Sequence, residues 1–263
     1  MSDTSGGHPS SHVPRPAPNK PPSPAEKGPF SATYPIEADL SYEDMPYGPD
    51  IGTDAEYRLL GELDGKRVLV LGAGSGHAAV AMASAGAHVI AIDPDANNLT
   101  KLRDAADLHE LKVEVRQSDL ADLAFVRADS ADVVYSAYAL ATIDDLGRVF
   151  RQVHRVLRPQ MAFVLSLPHP AFALVDPAST DPMRIRRSYW DSTPRPWDID
   201  GRKGSDHPHT VSSVFTQLVR SNFRVDTLLE PEPTSGVRPS EYHTEMMRWI
   251  PATLIVRARK EGT

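Results

Sequence analysis

Cysteine is missing from this chain. Its absence excludes disulfides, thiolate nucleophiles and cysteine-ligated iron–sulfur clusters. No apolar run reaches the ~18 residues that a membrane-crossing helix requires, so no membrane span is expected. The first residues lack a long apolar stretch, so no secretory leader is expected and the expected location is cytoplasmic. Large apolar side chains are nearly absent from residues 1 to 30, which are rich in Pro, Ser and Gly. Such a stretch buries too little surface to offset its ordering entropy, and a disordered tail is expected there rather than a proline-rich docking segment. The remainder, 31–263, is read as one folded domain. Positive charge is also in short supply. Lys and Arg number 28 against 35 Asp and Glu, a net charge of -7. That balance argues against a broad nucleic-acid footprint while leaving room for a local basic patch.

The most informative stretch that is present is residues 68–93, VLVLGAGSGHAAVAMASAGAHVIAID. Val68 to Leu71 is a short apolar run with β-branched residues, as in a strand buried on both faces. Gly72, Gly74 and Gly76 follow at alternate positions, allowing a sharp turn and close approach of a ligand to the backbone. His77 to Ala85 is alanine-rich and reads as a helix, with Gly86 at its left-handed C-terminal position. His88 to Ile92 is the next strand. Asp93 at its tip is placed to accept both ribose hydroxyls of a nucleoside, at about 1.5–3 kcal/mol for each charge-assisted bond. The dinucleotide fingerprint needs a third glycine where His77 stands, which weakens a pyrophosphate reading.

GxGxG after an apolar strand, with an acid after the next strand, resembles the first motif of the class I S-adenosylmethionine (SAM)-dependent methyltransferases, of the methyltransferase type 11-like, small-molecule kind. The resemblance extends over residues 45 to 260. It implies a Rossmann-like α/β fold: a seven-stranded, mostly parallel sheet with an antiparallel C-terminal β-hairpin and helices on both faces. It implies SAM as methyl-donor cosubstrate, with the turn of Gly72, Ala73, Gly74 and Gly76 beneath its methionyl part, Asp93 at the ribose and Pro94 among the cofactor-binding residues. A third strand at Val113–Val115 leads to Ser118-Asp119-Leu120. In the family an acid in the place of Asp119 binds the adenine amino group, and the next residue, here Leu120, packs near the ring. A fourth strand, Asp132–Ser136, runs into Ala137-Tyr138; the resemblance implies that this segment, with Ser136 and Tyr138, lines the sulfonium end, while Tyr138 has a second reading as a buried core tyrosine. The passage RVLRPQMAFVLSLP resembles the family's RxLxPGG, with Gln160-Met161 replacing the glycine pair. Absence of cysteine also excludes radical SAM chemistry.

Other elements follow from pattern. Thr53-x-x-Glu56 opens an expected helix through Leu63, and Thr142-x-x-Asp145 a capping-box-like start to a helix over Ile143–Leu157, stopped by Pro159. Tyr47, in the loop before the first helix, has two readings: a ring laid against the sulfonium, or packing on the sheet edge. Residues 168–209 are read as a substrate-side insertion. Its Arg184, Arg186, Arg187, Tyr189, Trp190 and Trp197 form either a lid over an aromatic or anionic substrate or a solvated loop covering the core. Thr210 is expected to cap a helix to Ser221, with Asn222 in its C-terminal turn. Phe223–Glu230 and Ala252–Lys260 are the last two strands, joined by a long connection.

Transfer from a sulfonium needs positioning, which supplies roughly 7–11 kcal/mol, and a base if the acceptor is a hydroxyl or protonated amine. His169, directly off the fifth strand, is the first choice and His209 the second; no metal is expected. The expected activity is methyl transfer to an O, N or C atom of a small-molecule acceptor. The expected partners are that acceptor alone, without nucleic acid or membrane, in a monomer or homodimer. An NAD(P)-dependent oxidoreductase, with a parallel last strand, and a SAM-binding protein without turnover stand as alternatives.

Overall fold

The structure is a computed structural model and is described for residues 42–175, 181, 184–199, 202–234, 243 and 245–262. The expected tail over residues 1–30, and much of the connection before the last strand, lie outside the described residues.

Nine strands and five helices follow one another along these residues. The strands of the main sheet are β1 (Arg67–Leu71), β2 (His88–Asp93), β3 (Val113–Gln117), β4 (Ala131–Ala137), β5 (Leu157–Pro168), β8 (Phe223–Leu229) and β9 (Thr253–Lys260). They lie in the order β3-β2-β1-β4-β5-β9-β8. The first five strands are parallel, and β9 runs antiparallel to both β5 and β8. The hairpin end expected from the sequence is therefore present. Two short strands, β6 (Arg195–Ile199) and β7 (Arg202–Asp206), form a separate antiparallel hairpin inside the 168–209 insertion.

Alternation along the strands divides the apolar interior in two. Leu69, Leu71, Ile90, Ile92, Val134, Phe163 and Leu165 face α4 (Leu146–Val156) and α5 (Val211–Arg220). Val68, Val70, Val89, Ala91, Val133, Tyr135 and Val164 face α2 (His77–Ser84), α3 (Ala96–Leu108) and the segment before β1. Helices therefore cover both faces. The central strands are buried on each side, which is why they read as unbroken apolar runs.

The local differences from expectation have identifiable causes. The first helix, α1, is a single turn, Asp54–Tyr57, rather than a helix to Leu63. Asp54 Oδ1 accepts the N–H groups of Leu59 (2.8 Å) and Leu60 (3.2 Å), drawing the chain out of the helical path, and Arg58 turns left-handed at φ 51°. Leu59, Leu60 and Leu63 still reach the core, from an irregular segment. For α4 the cap is Asp145, whose carboxylate accepts Arg148 N–H at 3.1 Å. Thr142 instead ends a 3-10 turn, Ala139–Thr142, and donates its hydroxyl to the Ala139 carbonyl. Helix α4 ends before Pro159, because Leu157 already pairs with Ala131 across a bulge in β4–β5.

Gln160 takes the left-handed conformation, φ 67°, at the place of the first missing glycine. A left-handed non-glycine residue costs about 1–2 kcal/mol, and glycine's extra freedom in the unfolded chain returns about 0.5–1 kcal/mol of that. Gln160→Gly is expected to raise unfolding free energy by about 0.5–1 kcal/mol, read from urea denaturation midpoints at constant m-value.

Candidate active site

The carboxyl ends of β1, β2 and β4 meet at the glycine turn. Gly72 has φ 89°, and a Cβ there would overlap that of Ala139. Gly76 has φ 94°, and a Cβ there would sit 2.9 Å from Leu102 Cα. These two positions require glycine for both conformation and space. The turn then passes into α2, whose first N–H groups have no partner within the helix's own hydrogen-bond ladder.

Asp93 is buried directly beneath the turn. Its Oδ2 accepts the N–H of Ala73 at 2.8 Å, that of Gly74 at 3.4 Å and the side-chain amide of Asn98 at 3.1 Å. Its Oδ1 accepts Asp95 N–H at 2.8 Å. Burial pushes this carboxyl above the usual range, and the hydrogen bonds from Asp95, Asn98, Ala73 and Gly74 oppose that push. The exposed Pro94 offers its carbonyl to the Gln117 side chain at 3.2 Å, joining the tips of β2 and β3. Beyond β3, Asp119 is exposed, with Oδ1 accepting Ala121 N–H at 2.7 Å, while Leu120 is buried. The structure thus gathers Gly72, Ala73, Gly74, Gly76, Asp93 and Pro94 at one crevice, with Asp119 and Leu120 on the loop that follows the neighbouring strand.

The residues assigned to the sulfonium end are more deeply placed. Ser136 is fully buried, its hydroxyl donating to the Leu71 carbonyl at 2.8 Å. Tyr138 is fully buried at φ 61° and shares a hydroxyl hydrogen bond with Thr253. It packs in a third apolar cluster with Phe172, Met246, Met247 and Ala252. Tyr47 takes the packing position: it is fully buried, with its ring centroid 5.8 Å from that of Tyr135. Its hydroxyl donates to Asp54 at 2.6 Å, and burial, with Asp54 next, holds the phenol protonated well above the usual tyrosine range. The lead-in reaches the glycine turn through another residue. Tyr42 stacks on His77 with ring centroids 4.2 Å apart and planes 12° from parallel, while His77 Nδ1 lies 2.8 Å from the Ser75 hydroxyl.

His169 stands at the end of β5, as expected, with both ring nitrogens engaged. Ala171 N–H donates to Nδ1 at 3.1 Å, so the proton lies on Nε2, which donates to Glu230 at 2.8 Å. Burial lowers the His169 pKa, with Glu230 opposing. The ring is buried, whereas the Glu230 side chain is 47% exposed. His209 is placed differently: Nε2 donates to the Ile143 carbonyl at 2.8 Å, fastening the insertion to the exit of the 3-10 turn. Burial lowers its pKa, opposed by that hydrogen bond. His207 N–H binds the Ala141 carbonyl at 2.7 Å beside it. Within the insertion, Trp197 donates to Asp206 at 3.0 Å inside the β6–β7 hairpin, whereas Trp190 is 83% exposed. The sequence reading missed Tyr42, Asn98 and Glu230. Only Glu230 carried a signal, as an acid at the tip of an expected strand.

A glycine turn over a strand-tip acid, in a sheet of order β3-β2-β1-β4-β5-β9-β8 with β9 reversed, is the arrangement of a Rossmann-like α/β protein of methyltransferase fold. The reversed β9 disfavours the dinucleotide oxidoreductase alternative, which called for a parallel last strand. Comparison with known proteins agrees. A family model described as a methyltransferase domain matches residues 69–165. The ubiquinone biosynthesis O-methyltransferase of Hahella chejuensis is 37% identical over 101 residues, covering 37% of this chain and 41% of that enzyme. The matched segment spans about two-fifths of the length of such curated relatives. An S-adenosylmethionine-dependent methyltransferase of Mesorhizobium loti superposes with a TM-score of 0.64 at 28% identity, over 78% of this chain and 95% of that one. A candidate enzyme of the same description from Listeria monocytogenes shares the fold, with a TM-score of 0.67 at 23% identity over 78% and 95% of the two chains. Residues 69–165 thus match a methyltransferase domain, and the fold is that of SAM-dependent methyltransferases.

The His169–Glu230 contact makes a measurable pH prediction. The folded-state pKa lies below the usual histidine value, so the unfolded chain takes up the proton first. His169 therefore contributes stability that is lost as pH falls below the ordinary value of about 6.5. Nitrogen-15 NMR should show the Nε2-protonated tautomer and a depressed pKa, and Glu230→Gln should depress that pKa further by removing the opposing charge. A rise on substitution would show the pairing to be misassigned.

Proposed function

We propose that this chain transfers the methyl group of SAM to an oxygen of a small-molecule acceptor, with nitrogen and carbon acceptors as less favoured variants. The observation that carries the reading is Asp93 beneath the Gly72–Gly76 turn, at the crevice where an open α/β sheet binds ligands beyond its strand ends. The oxygen preference rests on the curated relatives, which are named as O-methyltransferases.

SAM supplies an already activated methyl group on a sulfonium. The chain's part is binding, orientation and proton removal. The glycine turn gives close access to backbone N–H groups. Asp93 exchanges its hydrogen bonds from Ala73 and Gly74 for ribose hydroxyls, while Asp95 and Asn98 keep the carboxylate oriented. Asp119, exposed on the loop after β3, presents its carboxylate to the adenine amino group, over the buried Leu120. Tyr138 and Ser136 form a rigid floor rather than a mobile lining. For an ionisable hydroxyl, the His169–Glu230 pair takes the proton. The buried His169 orients the half-exposed Glu230 carboxylate, which is the member open to an incoming acceptor. His209, held by the Ile143 carbonyl, anchors the insertion that forms the substrate side.

Calorimetric titration with SAM, its demethylated product and NAD(P) tests the reading. SAM and the product are expected to bind and NAD(P) is not, and Asp93→Ala should weaken SAM several-fold or more, as loss of charge-assisted bonds predicts. Tight NAD(P) binding, or SAM affinity untouched by Asp93→Ala, would remove the proposal. Methyl transfer that survives His169→Ala and Glu230→Gln together would remove the proton-accepting role from this pair.

A further inference from the structure

A cavity lies at the end of the sheet opposite the glycine turn. It has a volume of about 340 Å³ and is formed by the segment after α1, the start of β4, the bulge of β5 and the end of β9. Its walls include Leu60, Val133 and Met161, and its charged lining comprises Arg58, Lys66, Arg257 and Arg259 against Glu62 and Asp132. The Asp132 carboxylate is already committed: it is paired with Arg158, and it accepts Arg67 N–H at 2.9 Å. Four cations converge here in a chain of net charge -7.

The two arginines of β9 are held in place from behind. Each donates Nε to one oxygen of Asp226, both at 2.7 Å. Each places Nη1 on a backbone carbonyl, Arg257 on Leu59 at 3.5 Å and Arg259 on Gln160 at 3.1 Å. One carboxylate thus serves two guanidinium groups and leaves a net positive charge. Among the described residues, neither Nη2 group meets an acceptor, and no acid pairs with Arg58 or Lys66. The guanidinium groups are partly buried, 21% and 33% exposed, so their field is less screened than that of a solvated surface arginine. Fixed planar forks with free N–H groups above apolar walls match an oxyanion carried on an apolar body.

We propose that this cavity binds a small organic oxyanion, a carboxylate or phosphomonoester attached to an apolar or aromatic group. The site is separate from the glycine turn: it opens at the amino ends of the strands, about 15 Å away along the five residues of β1. Arg257 and Arg259 supply the oriented forks, Arg58 and Lys66 close the charge from the rim, and Leu60 and Met161 take the apolar part.

Benzoate and phenyl phosphate are suitable probes, titrated into the full chain without methyl donor and compared with sodium chloride at matched ionic strength. A saturable rise in melting temperature and a calorimetric isotherm are expected for at least one probe, and the one that saturates at lower concentration identifies the head group. Among the described residues, the exposed Arg58 and Lys66 hold no other part of the fold through their charged groups, so Arg58→Gln with Lys66→Gln should fold normally and weaken binding about tenfold. No saturable response to either probe, or full affinity in the double variant, would overturn the proposal. Because the readout needs no methyl donor, its failure and the failure of the methyl-transfer reading are independent.

Discussion

One carboxylate holds the functional edge of this protein together. Asp93 sits at the tip of β2, yet most of its hydrogen bonds reach outside its own strand. It receives the N–H groups of Ala73 and Gly74 from the turn after β1 and the amide of Asn98 from α3. Burying a charge in this way is unfavourable, as the raised pKa of the group shows. The hydrogen bonds compensate, and they fix the turn relative to the neighbouring strand. In the proposed complex these are also the oxygen atoms that face the ribose. The contact that orders the crevice is therefore the one a nucleoside would replace, which suits a ligand that must bind and leave.

Elsewhere, polar pairs tie separate segments of the chain together. Asp54 holds Tyr47, Leu59 and Leu60, so the lead-in is pressed onto the face of β4 and β5. Tyr138 meets Thr253, joining the exit of β4 to the start of β9. His169 meets Glu230, joining the ends of β5 and β8. Asp226 holds two arginines of β9 at the far end. In each case a polar side chain is satisfied by a group from another segment, where leaving it unpaired would cost about 1–3 kcal/mol. These pairs give the two ends of the sheet their different chemistry: exposed carboxylates beyond the carboxyl ends, partly buried guanidinium groups at the amino ends.

Much of the fold was legible because its signals are local. Short unbroken apolar runs, the three glycines and the alanine-rich stretch place β1, α2 and β2 within a residue or two of their observed bounds. The reversed final hairpin followed from a family resemblance and is present in the sheet order. The first helix was read too long because Leu59, Leu60 and Leu63 have helical spacing. A carboxylate five residues before Leu59 captured the N–H groups that would have continued the helix. The capping box at Thr142 failed for a related reason, since that hydroxyl turns back to the Ala139 carbonyl and Asp145 caps instead. The position of His169 was readable from the strand before it. Its role was not, because Glu230 is 61 residues further along the chain.

By itself the sequence determined the order of elements, the glycine turn and the acid that faces it, since each depends on backbone preferences within a few residues. Tertiary structure alone decided which polar groups are spoken for. It committed Tyr47 to the core, engaged both nitrogens of His169 and left Glu230 half open. It also brought Arg58 and Lys66 beside Arg257 and Arg259, about two hundred residues away in sequence, around one cavity. The physical reason is the same throughout: burial and hydrogen bonding depend on neighbours in space, and a sheet assembled by crossovers makes neighbours of residues that the chain keeps far apart.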